Sequence, residues 1–126
     1  MKSRWKSLEP LDPDTEYVVL ASSIPPKSFR STGRLFRGSR AVRRQLLATD
    51  GVMGFSMLAE PARKRYATLS VWRDQATLEA FARTMPHRSL MAGLAEEMDS
   101  PQFVQWTITG SDGLPHWSDA LRRLHH

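Results

Sequence analysis

The 126-residue chain is of single-domain size, 40% hydrophobic and 25% charged, with a formal net charge of +5. It holds no cysteine, which excludes disulfides, thiolate catalysis and Cys-ligated zinc or iron–sulfur centres, and which suits a reducing cytoplasm. No apolar run approaches the length of a membrane span, and the basic start Met1-Lys2-Ser3-Arg4-Trp5 lacks the apolar stretch of a secretory signal.

Residues 1–13 contain Pro10, Pro13 and mixed charge and read as an N-terminal tail. Residues 17–24, Tyr-Val-Val-Leu-Ala-Ser-Ser-Ile, are rich in β-branched and aromatic residues and predict a strand that is apolar on both faces, ended by Pro25-Pro26. A loop follows through Phe29. Residues 39–49 predict a helix with Val42 and Leu46 on one face, stopped by Asp50-Gly51. The alternation over 52–60 and again over 65–73 predicts two strands joined by a short polar connection, with Tyr66, Thr68, Ser70 and Trp72 on one face of the second. Asp74 is placed as an N-cap for a helix carrying Leu78, Phe81 and Met85. Pro86 interrupts that helix, and a second segment restarts with Leu90, Leu94 and Met98. Residues 102–109 alternate Phe103, Gln105 and Thr107 against Val104, Trp106 and Ile108, predicting a last strand. Residues 110–126 predict a loop and a short helix packing on the domain, with Ser118 as a cap.

The order strand, helix, strand, strand, helix, strand over residues 14–109 is the ferredoxin-like βαββαβ arrangement, an α+β fold with helices on one face of an antiparallel sheet. The other face must be polar or covered. It is not polar here, because the first, second and fourth strands carry apolar residues on both sides. Two covers are open to it. One is a homodimer in which two sheets pack face to face. The other is the C-terminal segment, whose Leu114, Trp117, Leu121 and Leu124 are spaced to cover the sheet within one chain.

The run Thr68-Leu69-Ser70-Val71-Trp72-Arg73-Asp74, followed by Leu78, Phe81, Pro86-His87-Arg88 and Met91, resembles the antibiotic-biosynthesis-monooxygenase-like proteins of the dimeric α/β-barrel superfamily. Gln45-Leu46-Leu47, Gly51, Gly54, Glu60-Pro61 and Phe103-Val104-Gln105-Trp106-Thr107 look like an uncharacterised branch related to spheroidene monooxygenase. The resemblance implies a homodimer and a pocket between sheet and helices. It implies monooxygenase-like chemistry on a small apolar or aromatic molecule, with either no cofactor or haem. The haem-degrading relatives look as if they need an Asn early in the first strand, with Trp and His on the second helix. This chain has no Asn at all, and Phe81 stands where the helical Trp would be.

His87 is the candidate catalytic residue. A first helical turn exposes amide protons that disfavour a positive ring, so a neutral imidazole there can accept a proton or ligate haem iron. The bland alternative is a polar first-turn residue bonded to backbone. Tyr66, Ser70, Trp72, Met91 and Trp106 are candidate lining residues, and Phe29 and Arg30 a candidate lid. Trp72 and Trp106 serve equally well as core. No second His or carboxylate stands at ligand spacing, so no protein metal site is expected.

Between Glu16 and Asp50 there is no acidic residue, while Lys27, Arg30, Arg34, Arg37, Arg40, Arg43 and Arg44 all fall there. The alternative function is therefore a non-catalytic ligand-binding or interaction module using a basic helix, against the plain reading of a solvated face. Nucleic acid is not indicated, since neither aromatic interleaving nor a reader motif accompanies the arginines.

Overall fold

A computed structural model describes residues 5–23, 40–60, 65–83 and 102–124. In chain order the elements are β1 (Lys6–Ser7), β2 (Glu16–Ser23), helix α1 (residues 40–48), β3 (Val52–Glu60), β4 (Arg65–Trp72), α2 (Gln75–Arg83), β5 (Gln102–Thr109), a single turn of 3-10 helix (Gly110–Asp112) and α3 (Trp117–Leu124). The strands form one antiparallel sheet in the order β1-β3-β4-β2-β5. Leaving β1 aside, this is the ferredoxin-like order, and the α+β class expected from the sequence holds.

Residues paired across an antiparallel sheet share a face. One face is therefore a set of rows. Val52, Trp72, Val18 and Thr107 form the first, Phe55, Ser70, Leu20 and Gln105 the second, and Met57, Thr68, Ser22 and Phe103 the third. Against this face α1 brings Val42 and Leu46, and α2 brings Leu78 and Phe81. The opposite face carries Tyr17, Val19, Ala21, Leu58, Ala67, Leu69 and Val71, with Trp117, Ala120 and Leu124 of α3 buried on it. The sheet thus separates two cores.

Two expectations change at the termini. Residues 1–13 are not all tail: Lys6–Ser7 pairs with Phe55 and Gly54 as β1, and Trp5, Leu8 and Leu11 pack against the two cores. Gly54 permits this close approach, since a Cβ there would lie 3.1 Å from the Lys6 carbonyl oxygen. Ser118 is not a cap but lies inside α3, whose first turn begins after Pro115-His116 and includes a bond from the Ala120 N–H to the His116 carbonyl. The ends are also stitched together. The Gly110 N–H donates to the Thr15 carbonyl and the Ser111 N–H to the Pro13 carbonyl. A Cβ on Gly110 would collide with the Asp12 carbonyl oxygen, so only glycine fits this crossing.

The larger correction concerns the second sheet face. Its residues Val19, Ala21, Leu69 and Val71 are 0% exposed, because α3 of the same chain lies over them. The Trp117 indole N–H donates to Ser56 Oγ at 2.9 Å, anchoring the start of α3 to β3. The Arg123 guanidinium lies 4.4 Å from the centre of the Trp106 ring, anchoring its end to β5. A second copy is not needed to hide these strands. Among the described residues no helix is long and apolar enough to cross a membrane.

Asp119, on the outer side of α3, accepts from Arg122 and Arg123. Burial pushes its carboxyl up, but the two guanidinium bonds and charges outweigh that and leave it below the usual carboxylate value. A lowered folded-state value stabilises the fold above the unfolded value and is lost as pH falls through the folded one. Asp119→Asn should therefore lower the melting temperature at about pH 7, and the difference from wild type should shrink towards about pH 3. A difference that stays constant with pH would contradict this. Trp117→Ala should cost about 3–5 kcal/mol in urea unfolding. Ser56→Ala, which leaves the buried indole N–H without its partner, should cost about 1–3 kcal/mol.

Candidate ligand-binding cavity

The two helices do not fill the space above the sheet. Between them and the strands lies a cavity of about 390 Å³ whose surface is largely apolar, a size and character suited to a small organic molecule. Its floor is the three rows of the sheet described above. Leu20 and Ser22 come from β2, Phe55 and Met57 from β3, and Tyr66, Thr68, Ser70 and Trp72 from β4. Val42 and Leu46 of α1 and Leu78, Phe81 and Ala82 of α2 form the opposite wall. Phe103 and Gln105 of β5, with Gln75 and Glu79 of α2, stand at one side.

Each helix is placed by local chemistry. Asp74 caps α2: its carboxylate accepts from the Thr77 hydroxyl at 2.7 Å and from the Thr77 backbone N–H at 2.8 Å. These bonds, the hydroxyl's being the stronger influence, hold the Asp74 carboxyl below the ordinary value, with Arg73 adding to the effect. At the other end of the same corner, Gly51 adopts φ of 95°, which favours glycine, and ends the turn after α1. Its carbonyl accepts from the Arg73 N–H at 2.8 Å. Gln45 of α1 reaches the Phe81 carbonyl of α2 and ties the two helices together.

The aromatic floor is held by specific contacts. The Trp72 and Phe81 rings are 5.0 Å apart at 50°, a tilted pair of the favourable kind. The Trp72 indole N–H donates to Ser70 Oγ at 2.8 Å, and the Ser70 hydroxyl in turn donates to the Leu20 carbonyl. Tyr66 donates its hydroxyl proton to Met57 Sδ. At the side of the cavity, Gln105 donates to Gln75, which donates to Glu79. Ser22 and Thr68, register partners on β2 and β4, are hydrogen-bonded to each other through their hydroxyls.

Of the candidate residues named from the sequence, Tyr66, Ser70 and Trp72 stand together in this cavity. Trp106 does not. It pairs with Val19 on the opposite face and packs against α3, because the alternation of β5 sends Phe103 and Gln105 to the cavity instead. Phe29, Arg30, His87 and Met91 lie outside the described residues. Sequence reasoning missed Leu20, Ser22, Met57 and Phe103 as lining residues. The signal for Phe103 was available: alternation puts it on the strand face of Gln105, opposite Trp106. The signal for Ser22 is its register with Thr68, which only the pairing of β2 with β4 supplies. In the arginine-rich stretch, Arg43 lies over the Phe55 ring, 5.5 Å from its centre, so one of these cations takes part in packing.

The sheet order and the helices on one face define a ferredoxin-like α+β protein. More particularly, the chain belongs to the family described as Domain of unknown function (DUF3291), whose model matches residues 31–126. No curated protein matches the chain. Among solved structures it is similar to a conserved protein from Methanosarcina mazei, at 12% identity and a TM-score of 0.64, covering 71% of this chain and 90% of that one. It is also similar to a "Putative antibiotic biosynthesis monooxygenase" from Nitrosomonas europaea, at 16% identity and a TM-score of 0.62, covering 74% and 89%. A "Putative monooxygenase" from Fusobacterium nucleatum matches at 6% identity and a TM-score of 0.70, covering 80% of this chain and 46% of that one. At these identities the likeness is one of fold.

The Ser70–Trp72 bond allows a direct test of how the floor is held. Ser70→Ala should destabilise by about 1–3 kcal/mol, since it strands a buried N–H. In the Trp72→Phe background the same change should cost far less. A double-mutant cycle of urea midpoints would measure that coupling, and additive costs would show that the bond does not hold the ring.

Proposed function

We propose that the protein binds a small, largely apolar or aromatic molecule in the cavity between the sheet and α1/α2, and that it is an oxidoreductase of the monooxygenase-like kind. The observation that carries the binding half is the cavity itself: largely apolar, aromatic-floored and set between the sheet and two helices. The chemistry half is supported by the names of the structural neighbours and by the sequence resemblance to the spheroidene-monooxygenase-related branch, which we retain as part of the proposal. His87 remains the proposed proton acceptor or ligand, and Phe29 and Arg30 the proposed lid. The cytoplasm is the proposed compartment, consistent with a chain without cysteine.

The described part of the wall offers haem no imidazole, and His87 lies outside it. The one phenol among its lining residues, Tyr66, is engaged with Met57. No step is therefore derived through haem. A homodimer formed strand-on-strand through the second sheet face is not carried into the proposal either, because α3 covers that face.

Leu20 is half-buried on the cavity floor. Leu20→Trp should fill the space and lower the affinity for a naphthalene-sized probe at least tenfold while leaving the fold intact. Isothermal titration calorimetry would read the affinity, and circular dichroism the fold. A folded Leu20→Trp protein that still binds the probe at wild-type strength would move the binding site elsewhere.

A further inference from the structure

The cavity's polar groups differ in whether their protons are used. Ser70 both accepts from Trp72 and donates to Leu20. Tyr66 donates to Met57. The Ser22 and Thr68 hydroxyls bond only to each other among the described groups. Two hydroxyls carry two protons, and a bond between them uses one. The second proton has no acceptor in the described wall. Ser22 is 3% exposed and Thr68 is half-buried, and both line the cavity, so the second proton is available to a molecule that enters it. Around the pair, its row neighbour Phe103 and the adjacent Leu20 and Phe55 present apolar side chains, and the sulfur of its other row neighbour, Met57, accepts from Tyr66.

We infer that the Ser22–Thr68 pair is the polar anchor of the cavity, and that the ligand carries an acceptor oxygen of the carbonyl kind on an otherwise apolar body. The inference rests on the cavity being the ligand site, as proposed above. The body lies over Leu20, Phe55 and Trp72, and the carbonyl oxygen accepts the free hydroxyl proton. The pair is also redundant. With Ser22 replaced by Ala, Thr68 still has a proton to give. With Thr68 replaced by Val, Ser22 has one. Only loss of both hydroxyls removes the anchor.

The test uses the full chain and two probes of nearly equal shape, 2-acetylnaphthalene and 2-isopropenylnaphthalene, which differ by an oxygen in place of a methylene group. Calorimetric titration of the wild-type protein should show the ketone binding about tenfold more tightly than the alkene. Ser22→Ala and Thr68→Val should each keep most of that preference. The double variant should lose it, with the alkene's affinity unchanged. Equal affinity of the two probes for the wild type overturns the anchor and leaves the cavity reading standing, and so does a preference that survives in a folded double variant. If neither probe binds the wild type, the cavity reading fails and the anchor with it.

Discussion

Strand β4 runs through the middle of the sheet with both of its faces hidden. Ala67, Leu69 and Val71 point to one side and Tyr66, Ser70 and Trp72 to the other, and all six are buried. A strand of this kind has to be covered twice, and the two covers are built differently. On the α3 side, Trp117, Ala120 and Leu124 are buried in one core with the strands. On the other side, two helices stand off the sheet and leave a cavity. The difference follows from the side chains beneath. Short aliphatic residues such as Val19, Ala21 and Val71 let a helix approach closely. Trp72, Phe55 and Phe81 prop the helices away, and the hydroxyl residues Ser22, Thr68 and Ser70 between them are too short to fill what remains.

The edges of the cavity are tied at several independent points. Asp74 and Thr77 fix the start of α2, Gly51 and Arg73 close the corner with α1, and Gln45 joins the two helices. The polar atoms on the floor mostly satisfy each other, which is what keeps an apolar pocket from accumulating unpaired donors. The Ser22–Thr68 pair departs from that pattern, and so it is where ligand chemistry enters the argument.

Much of the architecture was legible in the sequence because it depends on local signals. Alternation placed β3, β4 and β5, the Val42–Leu46 spacing placed α1, and Asp74 marked the start of α2. The first strand was recognisable as apolar on both faces, and from that came the need for a second cover. Which cover it would be was not legible. The spacing of Leu114, Trp117, Leu121 and Leu124 fits α3 on the sheet, but a face of unpaired apolar residues fits a partner equally well, and sequence periodicity does not distinguish them. The site was less legible than the fold for a related reason. A strand's alternation says which residues share a face; it does not say which face holds the cavity. Trp106 was therefore grouped with Trp72, although cross-strand register sends it to the other core. β1 was missed because two residues carry no periodicity, and its pairing depends on the absent side chain of Gly54.

The sheet keeps two kinds of information physically apart. Residues that shape the ligand point one way along each strand, and residues that hold α3 point the other way. Substitutions whose side chains share no partners and lie more than about 7–10 Å apart act nearly independently. Exchanges at Leu20, Ser22, Thr68 or Phe103 can thus alter what the cavity accepts without disturbing Val19, Leu69 or Trp117. A lineage built on this sheet is free to change its chemistry by single steps while its scaffold stays put, which gives one physical reason why proteins so distant in sequence keep the same shape.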